Sequence, residues 1–284
     1  MPESSSITIA ALDGYPLAAD LWEPRERGDL TVVINSAMGV ARRYYRAFAG
    51  HLAGNAMTVV TYDYRGIGGS APARLRGFPA RARDWGQLDF GGVLAWARDR
   101  RPGGDIVVVG HSIGGQILGL APDLARVRRA LLVGAQAGSW RHWPGWARLG
   151  MVALWYGVIP LLSTVTGRLP MRWFGLGEDV PAGVAREWAT WGRAREYLFD
   201  PRHGIDLSGY GRLDVPVRAY SFADDGYAPR TSVEALVRHF TAARIDHQHR
   251  APRALGERSI GHFGFFRPDV APGLWRESVD WLRG

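Results

Sequence analysis

The chain has 284 residues, 46% of them hydrophobic and 22% charged, so it can bury a full core and fits one α/β domain with an insertion. It contains no cysteine, which excludes disulfide bonds, thiolate metal sites and a cysteine nucleophile. The formal net charge of +8 rests on arginine alone, and the arginines are scattered in ones and twos without interleaved aromatic residues, so no nucleic-acid partner is expected.

The N-terminal residues and the most apolar stretch of the sequence indicate where in the cell the protein is expected. Residues 1–6 contain no basic segment followed by an apolar run, so no signal peptide is predicted, and a cytoplasmic location is expected. Residues 151–165 are strongly apolar but are interrupted by Gly157 and Pro160, and they fall short of the roughly 18 apolar residues that a spanning helix needs. A buried helix is predicted here, with a membrane-touching helix as the alternative, and no stable membrane insertion is expected.

Short β-rich runs alternate with helical patterns, which is typical of parallel strands joined by crossover helices. Strands are predicted at residues 7–11, 16–22, 30–35, 57–62, 105–109, 129–133, 215–222 and 245–250. Helices are predicted at residues 42–52, 85–99, 113–120, 231–240 and 274–282. The runs at 30–35, 57–62 and 105–109 are continuously apolar, as expected for strands that are buried on both faces of a sheet.

The alternation breaks between residues 137 and 208, where the sequence is helical and aromatic and no buried strand is predicted. Seven of the twelve tryptophans lie in this segment: Trp140, Trp143, Trp146, Trp155, Trp173, Trp188 and Trp191. We therefore predict a core formed by residues 1–136 and 209–284, with a helical, tryptophan-rich cap inserted at 137–208.

Gly110, His111, Ser112, Ile113 and Gly114 stand directly between a predicted buried strand and a predicted helix. This is the pattern of a nucleophile elbow, in which a serine on a sharp, strained turn has its hydroxyl pushed clear of the sheet. Glycines two residues to either side are needed where strand and helix approach closely. The start of the helix leaves the Ile113 N–H free to bind negative charge. The alternative is a glycine-rich turn with an idle serine.

The elbow GHSIG, together with the segment DYRGIGGS at residues 63–70, resembles the α/β-hydrolase superfamily. Within it the chain looks similar to the branch of predicted serine aminopeptidases and monoacylglycerol-lipase-like proteins. The resemblance extends over nearly the whole chain and is least specific at 137–208. It implies the α/β-hydrolase fold, with a mostly parallel eight-stranded sheet flanked by helices, a Ser–acid–His triad and no cofactor.

In this superfamily the acid follows the nucleophile along the chain and the histidine comes last. The acid is expected just after the strand at 215–222, where the family spacing of four residues from an aspartate to a proline selects Asp225. Asp224 is the alternative, and capping of the next helix by both is the remaining interpretation. His262 lies in a loop rich in glycine and aromatic residues and is the only histidine beyond position 249.

Many superfamily members have a His-Gly pair where this sequence has NSAMG, at residues 35–39. If Met38 and Gly39 match the end of that turn, the backbone N–H of Met38 is the second oxyanion donor beside that of Ile113. Ala37 is the competing choice. A backbone donor needs no particular side chain, so the function survives either alignment.

The other histidines receive structural interpretations. His111 belongs to the elbow and is predicted to face away from the reaction. His247 and His249 alternate along a predicted strand and could share a face, but no third ligand at a suitable spacing accompanies them, so no metal site is predicted. His51, His142, His203 and His239 are predicted to lie on the surface or in the cap.

These residues predict two-step acyl transfer on a small-molecule ester or amide, with short- to medium-chain esters as the leading substrates. Trp155, Trp188 and Phe263 are predicted to bind the apolar acyl group, with a cap core as the alternative for the tryptophans. An acyltransferase, an aminopeptidase-like hydrolase and a non-catalytic ligand-binding protein of the same fold stay open. A haloalkane dehalogenase is disfavoured because it needs a carboxylate where Ser112 stands.

Overall fold

The computed structural model describes residues 3–26, 28–270 and 272–284. Residues 1 and 2, which belong to the N-terminal segment where no signal peptide is predicted, lie outside the described residues. Eight strands form its main sheet: Ser4–Ala10 (β1), Pro16–Trp22 (β2), Leu30–Asn35 (β3), Thr58–Tyr62 (β4), Asp105–His111 (β5), Val127–Val133 (β6), Pro216–Phe222 (β9) and Arg244–Arg250 (β10). Their spatial order is β1-β2-β4-β3-β5-β6-β9-β10. β2 is antiparallel to both of its neighbours, and all other pairs are parallel. The predicted mostly parallel, eight-stranded sheet is confirmed.

Each of the eight predicted strands overlaps an observed one, with ends that differ by a few residues. β3 and β4 are buried along nearly their whole length, as their continuous apolar runs predicted. β5 is longer than predicted and ends at His111, so the strand leads directly into Ser112.

Ten α-helical segments accompany the strands in the described part of the chain: Arg46–Ala53 (α1), Ala82–Asp84 (α2), Gly91–Arg100 (α3), Ile113–Gln116 (α4), Gly145–Ala153 (α5), Ile159–Thr166 (α6), Ala182–Arg193 (α7), Ser208–Arg212 (α8), Arg230–Val237 (α9) and Pro272–Arg283 (α10). A π-helical turn at Trp85–Phe90 joins α2 to α3, and another at Leu154–Val158 joins α5 to α6. The helix predicted at 113–120 is shorter, because α4 ends at Gln116 and a 3₁₀ turn follows at Leu118–Leu120. This segment is rich in glycine, which is a poor helix former.

Apolar residues of the central strands alternate between two layers of core, since successive side chains of a strand point to opposite faces. Val33 and Val108 belong to the cluster that includes α3 and the cap. Ile34 and Val109 belong to the opposite cluster, which includes α1 and α10. Both faces of the sheet are thereby covered, and the carboxyl ends of β3, β5, β6 and β9 are left at one edge.

The chain leaves the sheet after β6 and returns at β9, passing through α5, α6 and α7. The predicted boundaries of the cap, residues 137 and 208, fall in the loop after β6 and at the start of α8. The expectation of no buried strand in this segment is wrong in one detail. Arg168–Leu169 (β7) pairs antiparallel with Val180–Pro181 (β8), and Val180 and Pro181 are buried. This pair is too short for hydrophobic periodicity to indicate it.

The prediction of a buried helix at 151–165 is also wrong. α5, the π turn and α6 form one continuous helix of 22 residues, Gly145–Thr166, which is long and apolar enough to cross a membrane by length and composition alone. Only 17% of the most apolar 18-residue stretch of this helix is buried. Trp155, Ile159 and Ser163 form a buried stripe along this helix, and most of the rest of its surface is exposed. Because the helix is apolar on all sides, its sequence pattern did not indicate how little of it would be covered.

Candidate active site

Ser112 lies on a strained turn at the carboxyl end of β5. Its φ and ψ angles are 53° and −120°, a conformation that non-glycine residues rarely adopt. Its backbone N–H donates to the carbonyl of Val133 at 3.0 Å, which ties the turn to β6. A side chain at Gly110 would collide with the backbone of Gly115, which gives the predicted physical reason for a glycine at this position.

Asp225 and His262 meet in a buried hydrogen bond, although 37 residues separate them in the sequence. The Nδ1–H of His262 donates to Oδ2 of Asp225 at 2.8 Å, and the two side chains are 6% and 0% exposed. The other carboxylate oxygen of Asp225 accepts from the backbone N–H groups of Tyr227 and Ala228, at 2.8 and 3.0 Å. The carboxylate is thus fixed on both oxygens, and it orients the imidazole with Nε2 as its remaining nitrogen.

Gly134, directly after β6, provides the space for this pair and was not singled out by the sequence analysis. Its φ is +57°, and a Cβ atom there would lie 3.1 Å from both Cε1 and Nδ1 of His262 and 3.3 Å from Oδ2 of Asp225. Its N–H donates to the carbonyl of Tyr220 at 2.9 Å. A glycine at the end of a predicted strand was the only available signal, and many glycines in this chain share it.

Asp224 holds the loop that contains His262. Its Oδ2 accepts from the hydroxyl of Ser259 at 2.7 Å and from the N–H groups of Ile260 and Gly261 at 2.9 and 3.0 Å. Partial burial by itself would raise the pKa of Asp224, but these three hydrogen bonds outweigh it and hold the pKa below the usual value. The adjacent aspartates therefore have different contacts: Asp225 binds the imidazole, and Asp224 binds the backbone before it.

His111 contacts the loop that contains His262. Its Nε2 lies 2.9 Å from the carbonyl oxygen of His262, and the two ring centroids are 5.0 Å apart. The prediction that His111 faces away from the reaction missed this contact, which joins two segments far apart in the sequence. Among the described residues, Ser112 Oγ has no hydrogen-bond partner, and neither does Nε2 of His262.

The two predicted oxyanion donors are free to bind. The N–H of Ala37 donates to the hydroxyl of Tyr45 at 2.8 Å, so it is already used. In the described part of the chain, the N–H groups of Met38 and Ile113 have no acceptor. Of the two choices left open by the sequence, this geometry favours Met38 over Ala37.

The loop after β3 is also tied to the elbow. The hydroxyl of Tyr62 donates to Oδ1 of Asn35 at 2.7 Å, and Nδ2 of Asn35 donates to the carbonyl of Gly114 at 3.2 Å. A side chain at Gly114 would collide with the backbone of Asn35, so the glycine allows β3 and α4 to approach. These bonds hold the carboxyl end of β3 against the start of α4.

Residues 32–271 match the family model described as "Alpha/beta hydrolase family". The chain belongs to the alpha/beta hydrolase family. A search of curated proteins finds no match for the sequence.

Solved structures share the fold of this alpha/beta hydrolase at low sequence identity. An esterase (EaEST) from Exiguobacterium antarcticum is 17% identical, with 99% of this chain and 100% of that chain covered and a TM-score of 0.63. The Pyrococcus furiosus esterase Pf2001 is 15% identical, with 99% and 90% covered and a TM-score of 0.63. XC6422 from Xanthomonas campestris, described as an a/b serine hydrolase without lid, is 13% identical, with 99% and 93% covered and a TM-score of 0.53. At these identities the similarity shows the fold alone.

The three residues predicted to bind the acyl group lie in different surroundings. In the cap of this alpha/beta hydrolase Trp155 is 1% exposed, and its ring contacts that of Trp188 edge-on at 4.6 Å. Trp188 also donates from Nε1 to the hydroxyl of Tyr197 at 2.9 Å. These contacts fit the alternative of a cap core. Phe263 is 36% exposed, and its ring stands edge-on to that of His262 at 5.1 Å.

An open cleft of about 460 Å³ has Phe263, the residue after His262, in its lining. Phe263 and Tyr44 line one part of it, Gly39 and Val40 of the loop after β3 another, and Leu176 of the segment between β7 and β8 a third. Two of its lining residues, Gly39 and Phe263, directly follow Met38 and His262 in the sequence. Of the residues predicted to bind substrate, Phe263 is the one that lines it.

The two histidines of β10 bind a hydroxyl. Nε2 of His247 and Nδ1 of His249 each lie 2.8 Å from Oγ of Ser221 in β9. Within the described ranges, no three histidine or carboxylate side chains come together in a way that could hold a metal ion.

Proposed function

We propose that this alpha/beta hydrolase is a serine hydrolase that cleaves a carboxylic ester, or an amide, of a small apolar acyl group. Ser112 is the nucleophile, His262 the general base and then acid, and Asp225 the group that orients the imidazole. The observation that most supports this is the buried hydrogen bond of 2.8 Å between His262 Nδ1 and Asp225 Oδ2, together with the strained conformation of the elbow serine.

The chemistry follows from which atoms are already bonded. Because Nδ1 of His262 is protonated and bound to Asp225, Nε2 is available to take the proton of Ser112 as the serine oxygen attacks the acyl carbonyl. The N–H groups of Met38 and Ile113 then bind the oxyanion of the tetrahedral intermediate. One such donor is worth about 3 kcal/mol in a transition state of this kind.

The second half of the reaction repeats these roles with water. The protonated imidazole gives its proton to the leaving group, and the acyl group stays on Ser112 as an ester. Water then loses a proton to Nε2 and attacks the acyl-enzyme, and the returning proton frees Ser112 Oγ. Burial of His262 and Asp225 keeps bulk water from competing for their hydrogen bond.

The experiment is covalent labelling followed by kinetics. A fluorophosphonate probe should attach to Ser112, as shown by mass spectrometry of the labelled peptide, and should not label Ser112→Ala. The same variant should lose about 10⁵-fold or more in kcat on p-nitrophenyl esters. Ser139→Ala is the matched control, since Ser139 is also buried but its hydroxyl has no hydrogen-bond partner in the described residues.

Two results would contradict the proposal. The first is a Ser112→Ala variant that keeps about a tenth or more of the parent rate. The second is probe attachment to another serine with Ser112 unmodified. A panel that pairs p-nitrophenyl esters of increasing acyl length with aminoacyl anilides then separates an esterase from an amidase. Equal rates at all acyl lengths would contradict an apolar acyl site.

A further inference from the structure

The outer side of the cap helix is apolar and uncovered. Trp146 is 86% exposed, and Leu149, Tyr156, Leu161 and Val165 are between 53% and 65% exposed. The π turn adds one residue to the helical repeat, and this brings Leu161 and Val165 round to the same side as Trp146 and Leu149. We call these five side chains the apolar cap face. Single exposed apolar residues are ordinary, but a helix-long row of large ones marks a binding surface.

The loop after this helix extends the apolar surface toward the candidate active site. Trp173, Phe174 and Leu176 are 64%, 58% and 46% exposed. Leu176 lines the cleft that also contains Phe263. The backbone beyond it contacts the loop after β3, since the N–H of Glu178 donates to the carbonyl of Gly39 at 2.7 Å.

The charged side chains of the chain segment that carries the apolar cap face are all basic. Between Asp123 and Glu178 the sequence contains no acidic residue. Near the start of the helix, Arg141 and Arg148 are exposed, and their guanidinium groups donate to backbone carbonyls. At the other end, Arg76 donates to the carbonyl of Val165 at 3.1 Å. None of these three arginines has a carboxylate within ion-pair distance in the described part of the chain. Their charge is therefore available to an anionic partner.

Apolar side chains, tryptophans and unpaired guanidinium groups together match the boundary between lipid headgroups and acyl chains. Tryptophan and arginine are enriched where one end of a side chain is dry and the other wet, and arginine also binds phosphate in a bidentate manner. A protein partner would have to present an apolar groove with acidic ends. A bilayer that contains anionic phospholipids presents both features without a specific shape.

The packing of the helix decides how it meets the bilayer. At about 33 Å its length is close to the thickness of a hydrocarbon core. Its inner stripe, however, is packed inside the cap: Trp155 contacts Trp188, and a side chain at Gly192 would collide with the Trp155 ring. Spanning the bilayer would expose this stripe and unpack the cap. A helix that keeps those contacts lies parallel to the surface, with only its outer side inserted.

We propose that the apolar cap face binds peripherally to the surface of a bilayer containing anionic phospholipids, with the helix Gly145–Thr166 in the plane of the interface. This binding does not depend on the chemistry proposed for Ser112. It brings the loop with Trp173, Phe174 and Leu176, and with it the mouth of the cleft, against the lipid.

The test is flotation of the full-length protein with vesicles of phosphatidylcholine alone and of phosphatidylcholine mixed with phosphatidylglycerol. The protein should float with the mixed vesicles and much less with the neutral ones, and its tryptophan emission should shift to shorter wavelength. The triple variant Trp146→Ser, Leu161→Gln, Val165→Thr should lose about tenfold or more in partitioning. The double variant Arg141→Gln, Arg148→Gln should lose about tenfold on mixed vesicles only.

The matched control changes exposed apolar residues outside the cap. Leu12 and Ile245 are 49% and 37% exposed, and Leu12→Gln, Ile245→Thr should float as the parent does. All variants should keep the thermal midpoint of the parent. The Ser112→Ala variant should float as well as the parent does. No flotation of the parent, or flotation that the triple variant leaves unchanged, overturns the proposal. So does a parent that is a dimer in solution, does not bind vesicles and becomes a monomer in the triple variant.

Discussion

The hydroxyl oxygen of Tyr45 lies 2.9 Å from Nδ1 of His111, in a fully buried part of the core. Because the hydroxyl accepts from the N–H of Ala37, its own proton is directed at Nδ1 of His111. His111 then has its proton on Nε2 and donates it to the carbonyl of His262. One chain of hydrogen bonds thus joins the loop after β3, the elbow and the loop that contains His262.

Tyr45→Phe should lower both stability and turnover. It leaves the N–H of Ala37 and Nδ1 of His111 buried without partners, which should cost about 1–3 kcal/mol in the free energy of unfolding. The freed N–H of Ala37 precedes Met38 directly, so kcat should fall while KM changes little. Urea unfolding and steady-state kinetics on a soluble ester measure the two effects.

The control for this variant is Tyr15→Phe. The Tyr15 hydroxyl donates to the carbonyl of Ser70 at 2.6 Å, and neither residue takes part in the candidate active site. This change should lower stability by a similar or smaller amount and leave kcat unchanged. If both variants had the same kcat as the parent, the chain through Tyr45 and His111 would have no role in positioning the site.

The buried imidazole of His111 also predicts a pH dependence of stability. Burial, together with the neighbouring imidazole of His262, holds the pKa of His111 well below its usual value, against a smaller opposing effect of the hydrogen bond to the His262 backbone. The unfolded chain still titrates near about 6.5. As the pH falls below that value, the imidazole of His111 becomes protonated in the unfolded chain but stays neutral in the folded protein. The free energy of unfolding therefore falls, by at most about 1.4 kcal/mol per pH unit from this group.

His111→Gln removes this proton uptake and leaves the other histidines in place. Its free energy of unfolding should be lower than that of the parent near neutral pH but should decline less steeply between about pH 6.5 and pH 5. Urea unfolding at a series of pH values gives both curves. Parallel curves would mean that His111 takes up a proton in the folded state as readily as in the unfolded chain.

The sequence predicted those features that depend on short local patterns. All eight strands of the main sheet were predicted from short local runs, three of them continuously apolar, and the elbow at Ser112 was visible because its glycines and its serine lie within five residues. The order of the chain pointed to His262 and to the two aspartates after β9, and the family spacing from an aspartate to a proline then selected Asp225 over Asp224. The hydrogen bond of 2.8 Å between His262 and Asp225 is the geometry that this order implied.

Features that depend on contacts between distant segments were not predicted. Gly134 matters because of a ring that comes 128 residues later in the chain, and the role of Asp224 depends on backbone N–H groups 36 and 37 residues away. The pairing of Tyr45 with His111 spans 66 residues. No local pattern marks such contacts, since the same residue types occur in many other places. The exposure of the helix Gly145–Thr166 was not predicted. Its apolar composition indicates that its surface should be covered, but it does not indicate whether the rest of the protein or a partner covers it.

The adjacent aspartates should respond differently to substitution. Asp225→Asn keeps the size of the side chain but can donate to Nδ1 of His262 and so favour the wrong tautomer, which should lower kcat by about 10⁴-fold. Asp224→Asn keeps an acceptor for the loop N–H groups but loses its charge, and it should lower kcat by only about tenfold. Steady-state kinetics and thermal midpoints of the two variants provide matched controls for each other. A reversed order would make Asp224 the acid.

Gly134→Ala tests the space around the imidazole. The new Cβ would lie 3.1 Å from Nδ1 of His262 and 3.3 Å from Oδ2 of Asp225, closer than such contacts normally are, so one of the two must move by a few tenths of an ångström. Small displacements of reacting groups are costly, and kcat should fall about tenfold to a hundredfold. Alanine at the positive φ of this residue adds roughly 1–2 kcal/mol of strain, so kcat is compared at a temperature where both proteins are folded.

Gly226→Ala is the matched control, because a Cβ at Gly226, next to Asp225, meets nothing within 4 Å and its φ is not positive. An unchanged kcat in folded Gly134→Ala would mean that the activity does not depend on the position that His262 and Asp225 occupy beside Gly134.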